Sequence, residues 1–189
     1  MDSAQSKNEF VYTTLITANP TMADSDKVFD DGTQTTHSNR GTTALSSSSV
    51  QAGIIAMLKQ TNEASKRIGQ RPRFLLVPPD LLFTAMVVVG SQLTPGTANN
   101  DANPLHNQLE VVSVPQFTDT NNWYLFADPA VLPTIEIGFV GGQETPELLL
   151  QDAPTDGQVF TNDQISFKVR WEFGGGWLDY RGAYIGEVA

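Results

Sequence analysis

A nine-residue stretch near the end of the chain alternates strictly between apolar and polar side chains. From residue 165 to 173 the odd positions are Ile, Phe, Val, Trp and Phe, and the even positions are Ser, Lys, Arg and Glu. Successive side chains of a β-strand point to opposite faces, so the alternation predicts a strand with one apolar face and one polar face. We expect the glycines at 174–176 to break this strand. Such a strand requires a sheet that covers its apolar face.

Other short apolar runs predict more strands, most of them late in the chain. Residues 134–139 place Ile135, Ile137 and Phe139 on one face with Glu136 opposite. The remaining predicted strands are residues 11–16, 73–77, 109–114, 123–126 and 147–150, with a last one within 177–185. Strands that follow one another at short spacing favour antiparallel pairing.

Two helices are predicted before the strands. Apolar residues from Val50 to Ile68 recur at helical spacing, the serines at 46–49 can supply an N-cap, and Gly69 and Pro72 are expected to end the helix. A second helix is predicted from Asp80 to Val89, and it is apolar on almost every side. A helix of that kind is buried in its own domain or becomes buried against a partner.

These elements predict an α+β fold with a largely antiparallel sheet and two main helices. We interpret residues 1–45, which are rich in Thr, Ser, Asn and Asp, as an N-terminal arm and loop region. Residues 46–189 are then the α+β core domain. Residues 91–107 predict a long polar loop, and loops of that length inside a compact domain are often functional.

Charge is unevenly distributed along the 189 residues. The net charge is −10, with +4 between residues 46 and 79 and −11 after residue 79. The acidic distal half argues against a surface that follows nucleic-acid phosphates. The candidate basic patch comprises Lys59, Lys66, Arg67, Arg71 and Arg73. We interpret these residues as cations that complement the dipole at the end of the first predicted helix.

Residues for catalysis or metal binding are hard to find in this sequence. There is no cysteine, which excludes disulfides, thiolate zinc sites and thiol nucleophiles. The two histidines, His37 and His106, lie in polar stretches and are expected to be solvated. The acids Asp24, Asp26, Asp30 and Asp31 lack the glycine and final glutamate of a calcium loop. We therefore assign no catalytic, metal or cofactor residue, and we expect a protein that is not an enzyme.

Features of a membrane or secreted protein are also missing from the sequence. Apolar runs fall far short of 18 residues, and residues 1–10 contain no apolar segment typical of a secretory signal. The sequence therefore predicts a soluble, cytoplasmic product with no membrane partner.

Several ordered motifs resemble one protein family. The motif at residues 17–24, followed by Val28-Phe29 and His37-Ser38-Asn39, is similar to a loop of Mu-like major head subunits. One position departs from that family, because Asp30 stands where those proteins carry His. Further matching segments are residues 73–79, 103–104, 109–112, 123–129, 134–136, 142–144, 168–174 and 179–182. The chain thus resembles tailed-phage major capsid proteins, including those fused to a prohead protease, over residues 12–186.

The resemblance implies a Hong Kong 97-like capsid fold, here its axial and peripheral domain core. It also implies a structural subunit without a cofactor that gathers into pentamers and hexamers around DNA, which it encloses without reading its sequence. A scaffold or protease would act during assembly, and the protein would be made in the bacterial host cytoplasm and located in the virion capsid. Relatives begin with an arm, an extended loop and a spine helix, so the chain is expected to correspond to their C-terminal part. The loop at 91–107 is expected to approach the capsomer axis.

Two alternative functions remain at this point. A decoration or adaptor protein of a phage head would bind preformed shells as a discrete unit, whereas a lattice subunit associates with itself through unlike faces. A hydrolase would use His37 or His106 with nearby acids.

Overall fold

The structure is a computed structural model that describes residues 3–33, 37–94, 101–153, 155 and 157–188. Its helices are α1 (Ser3–Glu9), which continues as a π-helix (Phe10–Thr17), α2 (Ser47–Lys59), α3 (Leu82–Gly90) and α4 (Gly157–Asn162). Its strands are β1 (Arg40–Gly41), β2 (Pro72–Val77), β3 (Glu110–Ser113), β4 (Trp123–Ala127), β5 (Ile135–Phe139), β6 (Glu147–Gln151), β7 (Ser166–Arg170), β8 (Phe173–Trp177) and β9 (Ala183–Gly186). The predicted mixture of helices and strands is confirmed.

The central element is a five-stranded sheet with the order β1-β9-β4-β2-β3. Strand β4 pairs antiparallel with both β2 and β9, whereas the outer pairs β2–β3 and β1–β9 are parallel. The central sheet is therefore mixed. The antiparallel pairing expected from the sequence describes its centre and the two separate ribbons, β5–β8 and β6–β7. Strands β2 and β3 can run parallel because α3 and the segment after it carry the chain back across the sheet.

Both faces of this sheet are apolar and covered. On one face Leu75, Val77 and Leu125 pack with residues of α2 and α3 such as Val50 and Val88. On the other face the alternate strand residues Leu76, Tyr124, Phe126 and Ile185 form a second core. A strand that is buried on both faces is apolar along its whole length and does not alternate with polar residues. Strand β4 is of this kind, since its sequence is Trp-Tyr-Leu-Phe-Ala and every residue is buried.

The second face is covered by the N-terminal segment. Ile16, Val28 and Phe29 are buried in its core, and Phe29 packs edge-on against Trp177 with ring centroids 5.6 Å apart. The predicted strand at residues 11–16 is wrong, because Phe10–Thr17 is helical. The indole of Trp177 donates a hydrogen bond to the Leu15 carbonyl, and Leu15 and Ile16 are buried, so tertiary packing overrides the strand preference of this β-branched stretch.

Helix α2 begins where the sequence predicts and ends earlier. The Ser46 hydroxyl accepts a hydrogen bond from the Ser49 amide, and the Ser49 hydroxyl accepts one from the Ser46 amide, which forms a capping box. The helix stops at Lys59 and not near Ile68. Beyond it, the Asn62 side chain accepts a hydrogen bond from the Lys66 amide, and Ser65 adopts a left-handed conformation, with φ 56°. This turn supplies the backbone partners that a longer helix would have used.

The predicted second helix is confirmed as α3, preceded by a short 3-10 turn at Pro79–Leu81. Ala85, Val88 and Val89 are buried against the sheet. Residues 95–100 of the predicted polar loop lie outside the described residues. The rest of that loop folds back onto the end of α3, where the Asn103 side chain donates hydrogen bonds to the carbonyls of Val88 (2.7 Å) and Ser91 (2.9 Å).

The long alternating stretch at residues 165–173 is not one strand. It is divided into β7 and β8, which pair with different partners, β6 and β5. Between those partners the chain passes through a 3-10 turn at Val140–Gly142, in which Gly141 and Gly142 have φ of 66° and 70°. The glycines at 174–176 do not break a strand but lie within β8. A side chain at Gly175 would lie 2.8 Å from the Glu136 carbonyl and 3.4 Å from Leu15, so the glycine allows close packing.

We expect Gly186→Ala to lower the free energy of unfolding by about 1–3 kcal/mol, the usual cost of overpacking a core. A β-carbon there would lie 2.1 Å from the ring of Trp123, which is fully buried. Urea unfolding followed by tryptophan fluorescence measures the change. Gly90→Ala is the matched control, because a β-carbon at that position meets nothing within 4 Å. A smaller loss for Gly186→Ala than for the control would contradict the described packing.

Candidate functional site

The motif residues of the N-terminal segment meet the end of the chain in a buried polar cluster. Asn39 is fully buried, and its amide nitrogen lies within hydrogen-bond distance of the carbonyls of Val28 (3.0 Å), Tyr180 (3.3 Å) and Ala183 (3.2 Å). Its side-chain oxygen accepts a hydrogen bond from the Asp30 amide at 3.1 Å. One side chain therefore satisfies backbone groups from both ends of the sequence, which keeps them from being buried without partners.

A second amide shapes the same segment. The side-chain oxygen of Asn19 accepts a hydrogen bond from the Phe29 amide (2.8 Å), and its nitrogen donates one to the Phe29 carbonyl (3.0 Å). Asn19 adopts a left-handed conformation with φ 46°, which asparagine tolerates better than most residues. These two hydrogen bonds to its backbone hold Phe29 in the core, beneath a loop that is otherwise polar.

His37 is buried, so its predicted solvation is wrong. Its ring stacks on Tyr180, with centroids 3.5 Å apart and an interplanar angle of 23°. Nδ1 lies 2.5 Å from the Lys27 carbonyl oxygen, and Nε2 lies 3.0 Å from Oδ2 of Asp24. Both ring nitrogens thus lie within hydrogen-bond distance of oxygen atoms from residues 24 and 27. The buried ring and the half-exposed Asp24 carboxylate fasten the loop to the segment that carries Tyr180.

The acids of the loop divide into two groups. Asp24, Asp26 and His37 offer ligand atoms within 4.8 Å of one another, a spacing at which they could hold a metal ion. Two of these residues already contact each other, with Oδ2 of Asp24 3.0 Å from Nε2 of His37. Asp30 and Asp31 instead accept hydrogen bonds from backbone amides two residues ahead. Those two acids form local turns.

His106 is part of a helix end. Its Nδ1 lies 3.0 Å from the Gly90 carbonyl oxygen, and Nε2 lies 3.0 Å from the side-chain nitrogen of Asn107. Asn107 also donates its backbone amide to the Val89 carbonyl. These groups satisfy the terminal carbonyls of α3, and His106 therefore contributes to capping.

The five basic residues do not share the position that the sequence predicts for them. Only Lys59 lies in the last turn of α2, and Lys66 and Arg67 belong to the turn after it. Arg73 lies in β2 and donates to Asp128 at 2.6 Å in an exposed ion pair. The interpretation as dipole-complementing cations is wrong for four of the five, because α2 ends at Lys59.

Two apolar surfaces are exposed. The first, here called the ribbon face, lies on the β6–β7 ribbon, and its residues are 51–70% exposed: Leu148, Leu150, Ile165, Phe167 and Val169. The second, the helix stripe, lies on α3 and consists of Phe83, Met86 and Val87, which are 51–76% exposed. The alternation at 165–173 predicts an apolar face on the strand, but not that this face is exposed to solvent in the folded chain. The all-round apolarity of α3 is the signal for the helix stripe.

We expect Asp24→Asn to weaken the fold near neutral pH by at most about 1 kcal/mol, since the carboxylate is half exposed. The Asp26 amide, and then His37, lower the pKa of Asp24 below its ordinary value of 3.8, against an opposing effect of burial. The ionised form therefore stabilises the fold fully above pH 3.8, and this contribution is lost as the pH falls through the lowered pKa. Urea unfolding of both proteins from pH 7 to pH 2 should show the difference disappear in acid. Glu63→Gln, at an exposed position, is the control, and a difference that persists unchanged in acid would contradict the ion pair.

Comparison with known proteins assigns the chain to a family. No helix in the described part of the chain is long and apolar enough to cross a membrane. No curated protein matches the sequence. The profile of a family described as phage capsid protein matches residues 2–186, almost the full length, including the residues of the buried polar cluster and both exposed apolar surfaces. The chain therefore belongs to the phage capsid protein family.

Proposed function

We propose that this protein is the structural subunit of a phage or prophage shell and associates with itself into pentamers and hexamers that enclose DNA. The family match over residues 2–186 is the observation that carries the proposal. Membership of this family implies a structural, non-enzymatic protein of the virion capsid that assembles from copies of itself. The Hong Kong 97-like geometry and the likeness to Mu-like head subunits belong to the proposal.

The exposed apolar surfaces support self-association. A ribbon face of five large side chains and a helix stripe of three are more than half exposed in a single subunit. Contiguous apolar patches of this kind mark interaction sites on soluble proteins. In a shell, neighbouring subunits can cover these apolar side chains, whereas in a monomer the side chains would remain in water.

The charge distribution supports an orientation within the shell. The region after residue 79 carries a net charge of −11, so we propose that it does not face the enclosed DNA.

A scaffold or protease would act on the subunit only during assembly in the host cytoplasm.

The segment at residues 91–107 is proposed to approach the capsomer axis. Its described residues are fixed to α3 by Asn103 and by the Asn107 amide, which holds the base of the loop in place. Hydrogen exchange on free and assembled subunits tests this placement. We expect amides of the loop to become protected on assembly, and equal exchange in both states would contradict it.

We expect the purified chain to self-associate as its concentration rises. Size-exclusion chromatography with light scattering should show mass increasing from the 20.6 kDa subunit towards five or six copies, and negative-stain microscopy should show rings or shells. The physical reason is burial of the exposed apolar side chains between copies. A chain that stays monomeric at every concentration and binds only to preformed phage heads would instead be a decoration protein, and the proposal would be wrong.

A further inference from the structure

The ribbon face lies on an element that is poorly supported within one subunit. In β6–β7, Leu148 lies opposite Val169 and Leu150 lies opposite Phe167, so these four residues share one face. Ile165 precedes Ser166 and lies on the same face by alternation. A two-stranded ribbon is marginally stable in water unless its apolar face packs on something else. The ribbon is therefore expected to acquire a partner.

The helix stripe has a shape that suits such a ribbon. Phe83, Met86 and Val87 are spaced three and four residues apart, which places them in one row on α3. The opposite side of α3 packs on the central sheet through Ala85, Val88 and Val89. A helix is about 10 Å wide with its side chains, and two strands about 4.8 Å apart form a platform of similar width. A ribbon placed on the stripe would sandwich α3 between two layers of strands.

The geometry points to a head-to-tail contact in which the ribbon face of one subunit packs on the helix stripe of a neighbouring copy. This inference rests on the proposed function, because it requires that the chain associates with itself. A second copy is the favoured occupant since the family builds shells from copies, and each copy carries one face of each kind. A two-fold contact between two ribbon faces would leave the helix stripe in water, whereas the head-to-tail contact covers both.

The size of the surfaces fits a contact that is repeated around a ring. A fully exposed apolar side chain presents on the order of 100 Å². At exposed fractions of 51–76%, the ribbon face offers about 300 Å² and the helix stripe about 200 Å² of apolar surface. With the usual polar share, the contact buries about 900 Å², which is below the roughly 1,000 Å² that a specific interface clears, so a single contact is weak. Each subunit of a ring makes the contact twice, once with each face, so closure adds to the strength of a weak single contact.

The other face of the ribbon provides the matched controls. Glu147, Leu149, Lys168 and Arg170 lie there, and Lys168 is exposed and directly follows Phe167 in sequence. On α3 the corresponding control is Thr84, which is exposed and adjacent to Phe83. Lys168 points to the opposite face of the ribbon. Thr84 lies at the flank of α3, about 100° around the helix axis from Phe83, between the helix stripe and the side that packs on the sheet.

Cysteine cross-linking tests the contact cleanly because the chain contains no cysteine. Met86→Cys and Phe167→Cys variants are mixed under associating conditions and oxidised, and the yield of the mixed dimer is compared with that of Met86→Cys with Lys168→Cys and of Thr84→Cys with Phe167→Cys. We expect at least a fivefold higher yield for the first pair. If the protein associates but the three yields are equal, the inference is wrong and the proposed function stands. Predominant cross-linking of Phe167→Cys to itself would establish the two-fold contact and overturn the inference.

A charge in the ribbon face provides an independent measurement. We expect Phe167→Asp to raise the concentration needed for association at least tenfold, and Lys168→Asp to change it less than twofold. Circular dichroism confirms that both variants fold. A lower unfolding midpoint for Phe167→Asp at monomer concentrations would show that the face is covered within its own subunit, which would overturn the inference. Absence of association by the unsubstituted chain would overturn the proposed function itself.

Discussion

The central sheet is apolar on both faces, and the rest of the structure follows from the need to cover them. Helices α2 and α3 cover one face. The other has no helix pair available and is covered by the π-helix, Val28 and Phe29 from a segment dominated by polar residues. That segment can serve as a core layer only because its polar groups are satisfied locally. Asn19 and Asn39 satisfy backbone groups around Phe29 and Val28 that would otherwise be buried without partners.

The same requirement explains why the two ends of the chain meet. Strand β9 lies inside the sheet between β1 and β4, so the segment at residues 180–186 has to be reached by the N-terminal segment before the sheet is complete. Asn39 bonds to carbonyls at 180 and 183, and His37 stacks on Tyr180. Contacts more than 140 residues apart in sequence thus hold the fold together. When contacts are that far apart in sequence, the entropy of the chain is lost on loop closure before the stabilising contacts can form.

Local patterns predicted the elements whose conformation depends on their own residues. The Ser46 cap, helix α3, and strands β3 to β6 follow from spacing and turn chemistry that neighbouring residues determine. The patterns failed where distant residues decide: at Phe10–Thr17, which is helical under Trp177, and at residues 165–177, which divide between two partner strands. The cluster around His37 could not be predicted either, because its Asp24 and Tyr180 partners come from separate turns of the chain. The resemblance to a family covers the motifs at residues 17–39 and 179–182, but it does not indicate that they contact each other.

The buried polar cluster removes polar groups from water, whereas the two exposed apolar surfaces leave apolar groups in water. The two arrangements differ in what stabilises them. Within the subunit, a polar segment is made compatible with burial by pairing each backbone group, and the result is specific because few alternative arrangements satisfy Asn39. On the outside, apolar side chains remain in water, where their burial is non-directional and depends on concentration. A subunit of this kind can fold through its own hydrogen bonds while part of its apolar surface remains exposed to water. In the proposed assembly the ribbon face and the helix stripe contact neighbouring copies, and neither surface is needed to complete the five-stranded sheet, so assembly can follow folding.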